Sequence, residues 1–135
     1  MVEKKIHIKI ITPEKIVYED DINALYAQGV AGSFGILANH IPFMSVLAIG
    51  TAKIIKDDTE NMFSIIGGTL QFKNNEAIIL TEAAEAGSDI DTARAQLAKE
   101  RAEALLGSAG TKKDIQKANI ALARAMARLK AASKN

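Results

Sequence analysis

The sequence predicts a β + α architecture, an all-β sandwich or small barrel followed by an antiparallel two-helix hairpin. Three observations carry this. Up to Ala86, short runs rich in Ile, Val, Phe and Tyr alternate with polar residues and are punctuated by Gly, Asn and Asp, which is the period of two that half-buried strands show, with turn signals between. After Gly87 the composition changes: thirteen of the forty residues from Ala93 to Ala132 are alanine, giving high helix propensity. Gly107-Ser108-Ala109-Gly110 then splits this half into two helices, and a connection that short makes them antiparallel. The expected division is residues 1–86 as a β domain and residues 87–135 as a helical hairpin.

The strands are read in order. Ile6, Ile8 and Ile10 alternate with His7 and Lys9, so His7 points to solvent from a strand with one buried face. Thr12-Pro13-Glu14-Lys15 is a turn, because proline at its second position presets the backbone angle. Ile16-Val17-Tyr18 resumes the extended pattern, and Glu19-Asp20-Asp21 is expected to be a solvated corner. Ile22, Ala24 and Tyr26 alternate again and lead into Gly29, Gly32 and Gly35 around Ser33 and Phe34. This glycine-rich loop lacks the Gly-Lys-Ser/Thr ending of a phosphate-binding P-loop and runs into an apolar strand rather than a helix. His40, beside Asn39 and Pro42, has no Ser or Cys context that would make it a base and is expected to hold backbone through its ring nitrogens. Met44 to Leu47 and Thr51 to Lys56, separated by Gly50, read as two strands. Asp57-Asp58 marks a hairpin, as does Asn74-Asn75, whose side chains tolerate left-handed backbone. Met62 to Ile66 and Thr69 to Lys73 flank Gly67-Gly68. The sum is eight to ten short strands.

The composition limits function. With 135 residues, 48% of them hydrophobic, the chain can form one ordinary domain or two small ones. The absence of cysteine excludes disulfides, thiolate nucleophiles and cysteine-ligated zinc, and two histidines leave little for a metal site, so none is assigned. The charged N-terminus lacks the apolar core of a signal peptide, and no apolar run approaches membrane-spanning length, so a cytosolic chain is expected. The net charge of +1 hides a split. Residues 1–86 carry seven Lys or Arg against eleven Asp or Glu, a net −4, and residues 87–135 carry ten against five, a net +5. A basic helical half suggests an anionic partner: nucleotide phosphates, an acidic protein surface or nucleic acid.

In the helical half, Ser88, Asp89 or Asp91 can cap the first helix, and Asp91 is favoured; that helix reaches about Leu106. Thr111-x-x-Asp114 resembles a capping box for a second helix reaching about Ala132. Leu97, Ala104 and Leu105 on one helix and Ile115, Leu122, Met126 and Leu129 on the other are expected to make the main apolar contacts. Arg94 and Arg101 lie seven apart, and Lys117, Arg124 and Arg128 are spaced by seven and four, so each set shares a helical face. The two faces can converge on one polyphosphate, or the second can form a basic stripe for an acidic partner. A nucleic-acid-binding module is the alternative, although the basic helices have no interleaved aromatics. No nucleophile, base and orienting group can be named together, so an enzyme is not expected.

Thr12-Pro13-Glu14 with Val17, Gly32-Ser33-Phe34-Gly35-Ile36-Leu37 with Asn39-His40 and Pro42, Gly50, Gly67-Gly68, Ile79-Leu80 to Ala84-Glu85, and Asp89-Ile90-Asp91-Thr92-Ala93-Arg94-Ala95 together resemble the epsilon subunits of bacterial-type F-type ATP synthases, over nearly the whole chain. Ala38, where the family usually has proline, and Lys117, where nucleotide-binding members tend to carry arginine, depart from the pattern. The resemblance implies a ten-stranded β-sandwich with a C-terminal hairpin, in a non-catalytic rotor subunit of the central stalk. It implies gamma-subunit and c-ring contacts through Gly32, Ser33, Phe34, His40 and Pro42, and coupling of the catalytic head to a proton- or sodium-driven c-ring. It also implies a hairpin that extends toward the catalytic alpha and beta subunits to block ATP hydrolysis. No cofactor is obligatory. ATP is implied as a regulatory ligand, with Ile90 and Asp91 at the adenine end, Arg94, Arg101, Arg124 and Arg128 near the phosphates, Lys117 replacing an arginine, and Glu85 at the edge. The implied location is peripheral, at the cytoplasmic face of the plasma membrane.

Overall fold

The computed structural model describes residues 4–133. Eight strands precede two helices: β1 (Ile6–Ile11), β2 (Ile16–Ile22), β3 (Ala24–Gly29), β4 (Gly32–Leu37), β5 (Phe43–Lys56), β6 (Thr59–Lys73), β7 (Glu76–Leu80), β8 (Ala84–Ala86), α1 (Thr92–Ser108) and α2 (Lys112–Ser133), with a 3-10 turn at Gly87–Asp89. The sheet runs β2-β1-β7-β6-β5-β3-β4, and β8 pairs with β6. All pairings are antiparallel except β1 with β7, where Ile8 sits opposite Ala77 and Ile10 opposite Ile79.

This one sheet becomes a sandwich because β5 and β6 are long enough to serve two layers. The first half of β5, Phe43 to Leu47, pairs with Gly68 to Phe72 at the end of β6, which β7, β1 and β2 continue. The second half of β5 pairs with β3 and with the start of β6, which carries β8 on its other side. The structure has eight strands rather than the ten that the resemblance implies; counted as layer segments, with β5 and β6 each counted twice, they make ten. The runs on either side of Gly50, and of Gly67-Gly68, are therefore single continuous strands. Gly67 and Gly68 have φ of 70° and 112°, and a Cβ on Gly68 would run into the Leu80 carbonyl. β6 can turn from one layer to the other while held against β7 only because no side chain stands there.

The inward faces meet in one core of Ile6, Ile8, Ile10, Ile22, Leu25, Ile36, Ile54, Phe63, Leu70, Phe72 and Ile79. Alternation fails at Met62 to Ile66, where every residue is buried, the mark of a strand covered on both faces. Phe63 and Ile65 belong to the core; Met62, Ser64 and Ile66 point the other way, under α2, which lies across β5 and β6.

The turns follow their sequence signals. Thr12 N–H donates to the Lys15 carbonyl at 2.9 Å, and Asp57, Asn74 and Asn75 adopt φ of 53°, 53° and 59°. Glu19-Asp20-Asp21 departs from expectation: it is no corner but the middle of β2, paired with Lys9, Ile8 and His7. Side chains of β1 and β5 meet this charge. His7 Nε2 meets Glu19 and Nδ1 meets Asp21, both at 2.7 Å, and Lys56 pairs with Asp20.

The hairpin seam also departs from expectation. Leu97, Leu105, Ile115 and Met126 are exposed, whereas Ala95 and Ala102 of α1 and Ala118, Ala125, Ala127 and Ala131 of α2 are buried. α1 packs on α2 rather than on the sheet. Alanines seven apart let two backbones approach closely, which turns the larger side chains outward. Both helix starts are as read: Asp91 caps α1 by accepting from Arg94 N–H at 3.1 Å, and the Thr111 hydroxyl accepts from Asp114 N–H at 3.1 Å.

Candidate functional site: a mixed-charge cleft at the hairpin base

Where β8 ends, the chain makes a 3-10 turn, one extended residue and a helix start within six residues, Gly87 to Thr92. This compact junction sets Glu85, Asp89, Ile90 and Asp91 along one wall. Arg94, Ala98 and Arg101 share a face of α1 by their spacings of four and three, and Arg128 comes from α2. Together with Ala95 they line a cleft of about 460 Å³, within the range of small-molecule sites. Arg94 and Arg101 are exposed, so their guanidiniums are open to a ligand. Arg128 Nε donates to Glu85 Oε1 at 2.8 Å. The α1 N-terminus adds its partial positive charge.

Chemically the cleft offers three guanidiniums, able to grip phosphate or carboxylate by paired hydrogen bonds, interleaved with three carboxylates. The carboxylates limit the site to ligands that bring donors as well as anions. Ribose hydroxyls and an adenine amino group are such donors.

Of the eight residues named from the sequence for nucleotide binding, six come together: Glu85, Ile90, Asp91, Arg94, Arg101 and Arg128. The structure sets the other two apart. Lys117 lines a hollow beside Leu105, Ser108 and Asp114 at the hairpin turn. Arg124 faces Glu82 at 3.6 Å and borders a different groove. Helical spacing alone placed Lys117, Arg124 and Arg128 on one face; the sandwich edge divides that face lengthwise. Asp89 and Ala98 complete the cleft and were not named. Ala98 was legible as the residue one turn after Arg94. Glu82 had no sequence signal, because its contact with Arg124 joins a linker to a distant helix.

The residues read for the rotor rim lie elsewhere. Gly32, Ser33 and Phe34 open β4, while His40 and Pro42 lie in the β4–β5 connection; none lines the cleft. His40 Nδ1 donates to the Ile41 carbonyl at 2.7 Å, and its ring stands edge-on to Phe43 and Phe72. Phe34 packs on Phe43 with ring centroids 4.9 Å apart. Among the described residues, no cluster of three or more His, Cys, Asp or Glu is arranged to hold a metal ion, and no helix is long and apolar enough to cross a membrane.

A β-sandwich packed against one helix of a hairpin, with a guanidinium-lined cleft at their junction, defines a two-part sandwich-and-hairpin protein. The chain belongs to the ATP synthase delta/epsilon family: the family profile for "ATP synthase, Delta/Epsilon chain, beta-sandwich domain" matches residues 5–87, and that for "ATP synthase, Delta/Epsilon chain, long alpha-helix domain" matches residues 88–133. It is 39% identical over 128 residues to an ATP synthase epsilon chain of Nitratidesulfovibrio vulgaris, covering 95% of this chain and 96% of the relative. With that of Shouchella clausii it shares 41% over 124 residues, covering 92% of each. These relatives are non-catalytic subunits of the synthase, and this chain is one of their kind. A chain in the cryo-EM structure of the Euglena gracilis mitochondrial ATP synthase has the same fold, with a TM-score of 0.83 at 20% identity, covering 98% of this chain and 84% of that one.

Proposed function

We propose that the chain is a rotor subunit of the central stalk, joining gamma to the ion-driven c-ring, and that its hairpin inhibits ATP hydrolysis under control of ATP bound in the cleft. The relatives' name and the fold shared with a synthase solved with its F1 and c-ring support the assembly. Its partners are then gamma, the c-ring and, through an extended hairpin, the catalytic alpha and beta subunits, and its place is peripheral, at the cytoplasmic face of the membrane.

The observation that carries the nucleotide reading is the convergence of Arg94, Arg101 and Arg128 from two helices on one cleft beside Ile90 and Asp91. The cleft has both sides only while α2 lies along the sandwich. A ligand bridging α1 to α2 therefore favours the docked hairpin over any state in which Arg128 has left, by its difference in affinity for the two. ATP and the inhibitory position compete for the same helix.

Two experiments test the two parts. Removing residues from Gly87 onward should leave the complex assembled and raise its ATPase activity; hydrolysis unchanged under all nucleotide conditions overturns the inhibitory role. Titrating the full chain with ATP should perturb the amides of Asp91 and Arg94 in NMR spectra; no change at millimolar ATP overturns the nucleotide role.

A further inference from the structure

A second hollow, of about 720 Å³, lies between α2 and the sandwich where β6 changes layer, and shares no residue with the cleft. Ile11, Ile49, Ile66, Leu80 and Ile120 form apolar walls, and Arg124 stands at its border. Leu80 and Ile120 keep 47% and 45% of their surface in water, so an occupant would bury apolar area already exposed. Arg124 keeps 41% of its side chain exposed, and its contact with Glu82, at 3.6 Å, is too long for a hydrogen bond, so its terminal N–H groups are open to an acceptor in the groove.

We propose that this groove binds an anionic amphiphile, an alkyl carboxylate whose chain lies along Ile49, Ile66, Leu80 and Ile120 and whose head accepts from the Arg124 guanidinium. A neutral apolar ligand would fill the walls and leave the guanidinium without an anionic partner. A polyphosphate would find one cation where it needs several. Glu82, with 71% of its side chain exposed, can turn into water when the carboxylate arrives. An occupant touching both Ile120 and the sandwich holds α2 down, so it acts on the hairpin independently of nucleotide.

The test uses the full chain with butanoate, hexanoate and octanoate, and with 1-octanol as the uncharged control, followed by methyl NMR. Saturable shifts confined to Ile11, Ile49, Ile66, Leu80 and Ile120 are expected, tightening roughly fourfold per added methylene, with octanoate preferred to octanol. Arg124→Gln should remove that preference, and Ile120→Glu, at a half-exposed position, should abolish binding of octanoate. Shifts that do not saturate, that scatter over the surface, or that are unchanged in both variants overturn the proposal. If Arg124→Gln does not fold, Ile120→Glu decides alone.

Discussion

Arg128 and Glu85 show how the cleft is held ready. Their 2.8 Å contact keeps a guanidinium pointed into the cleft. Hydrogen bonds to charged groups contribute about 1.5–3 kcal/mol, so under the nucleotide role proposed above Arg101→Ala should weaken ATP binding by roughly ten- to a hundredfold. Lys117→Ala should leave it within about twofold, since that ammonium lies at the far end of the hairpin. Calorimetry on the two variants distinguishes these outcomes. On β1, His7 bonds to Glu19 and Asp21, and these bonds raise its pKa above the ordinary 6.5. Glu19 is held below 4.5 chiefly by His7, and Asp20 below 3.8 chiefly by Lys56. The sign follows from which state binds more protons. The histidine's contribution is complete below 6.5 and is lost as pH rises through its raised folded value. Those of the carboxylates are complete above their ordinary values and are lost as pH falls through the depressed ones. The cluster is thus at full strength between about pH 4.5 and 6.5. Glu76 of β7, opposite His7 in register, and Lys9, 3.8 Å from Glu19, are the other charges beside it. Denaturant midpoints of the parent chain should decline above pH 6.5 relative to those of His7→Gln, which lacks the titration.

At the scale of elements, alanine decides the hairpin. Ala102 is 1% and Ala125 is 0% exposed, so neither site has room for a branched side chain. Ala125→Leu should destabilise the docked hairpin by about 1–3 kcal/mol through overpacking, read as faster amide exchange in α1 and α2 with β1–β8 unchanged. Thr111→Ala should cost about 1 kcal/mol by removing the α2 cap, and its exchange signature should be confined to the first turn. The helix boundaries and turns were legible because local chemistry determines them: Asp91, Thr111, Asn74 and Asn75 act on backbone within four residues of themselves. The apolar seam was not legible. Leu97 and Leu105 have the spacing of a core face, but which stripe of a helix is buried depends on how near its partner lies, and small residues win where backbones touch. Glu19-Asp20-Asp21 misleads for a related reason: three carboxylates mark a corner unless other strands bring His7, Lys9 and Lys56 against them.

At the scale of the molecule, the fold class, strands followed by two helices, was legible in the sequence, but how the two parts meet was not. That depends on Met62, Ser64 and Ile66, whose burial under α2 looks in sequence like any apolar run. The same contact explains why two of the eight candidate nucleotide residues fall outside the cleft, since the docking angle of α2 decides which cations face α1. Gly68→Ala should be the most damaging single change at this scale. Its Cβ meets the Leu80 backbone at a φ of 112°, so the strand that serves both layers cannot keep its path, and loss of cooperative thermal unfolding is the expected result.

The parallel pairing of β1 with β7 also fixes a timetable for synthesis. β1 is seated between β2 and a strand made near the end of the sandwich, so its edge away from β2 stays unpaired until Glu76 to Leu80 have left the ribosome. By then the chain is about to enter its helices, which need only local hydrogen bonds to begin. Closure of the sandwich and appearance of the hairpin therefore fall close together in time, and a nascent chain stalled before Glu76 would present a long aliphatic edge to any chaperone within reach.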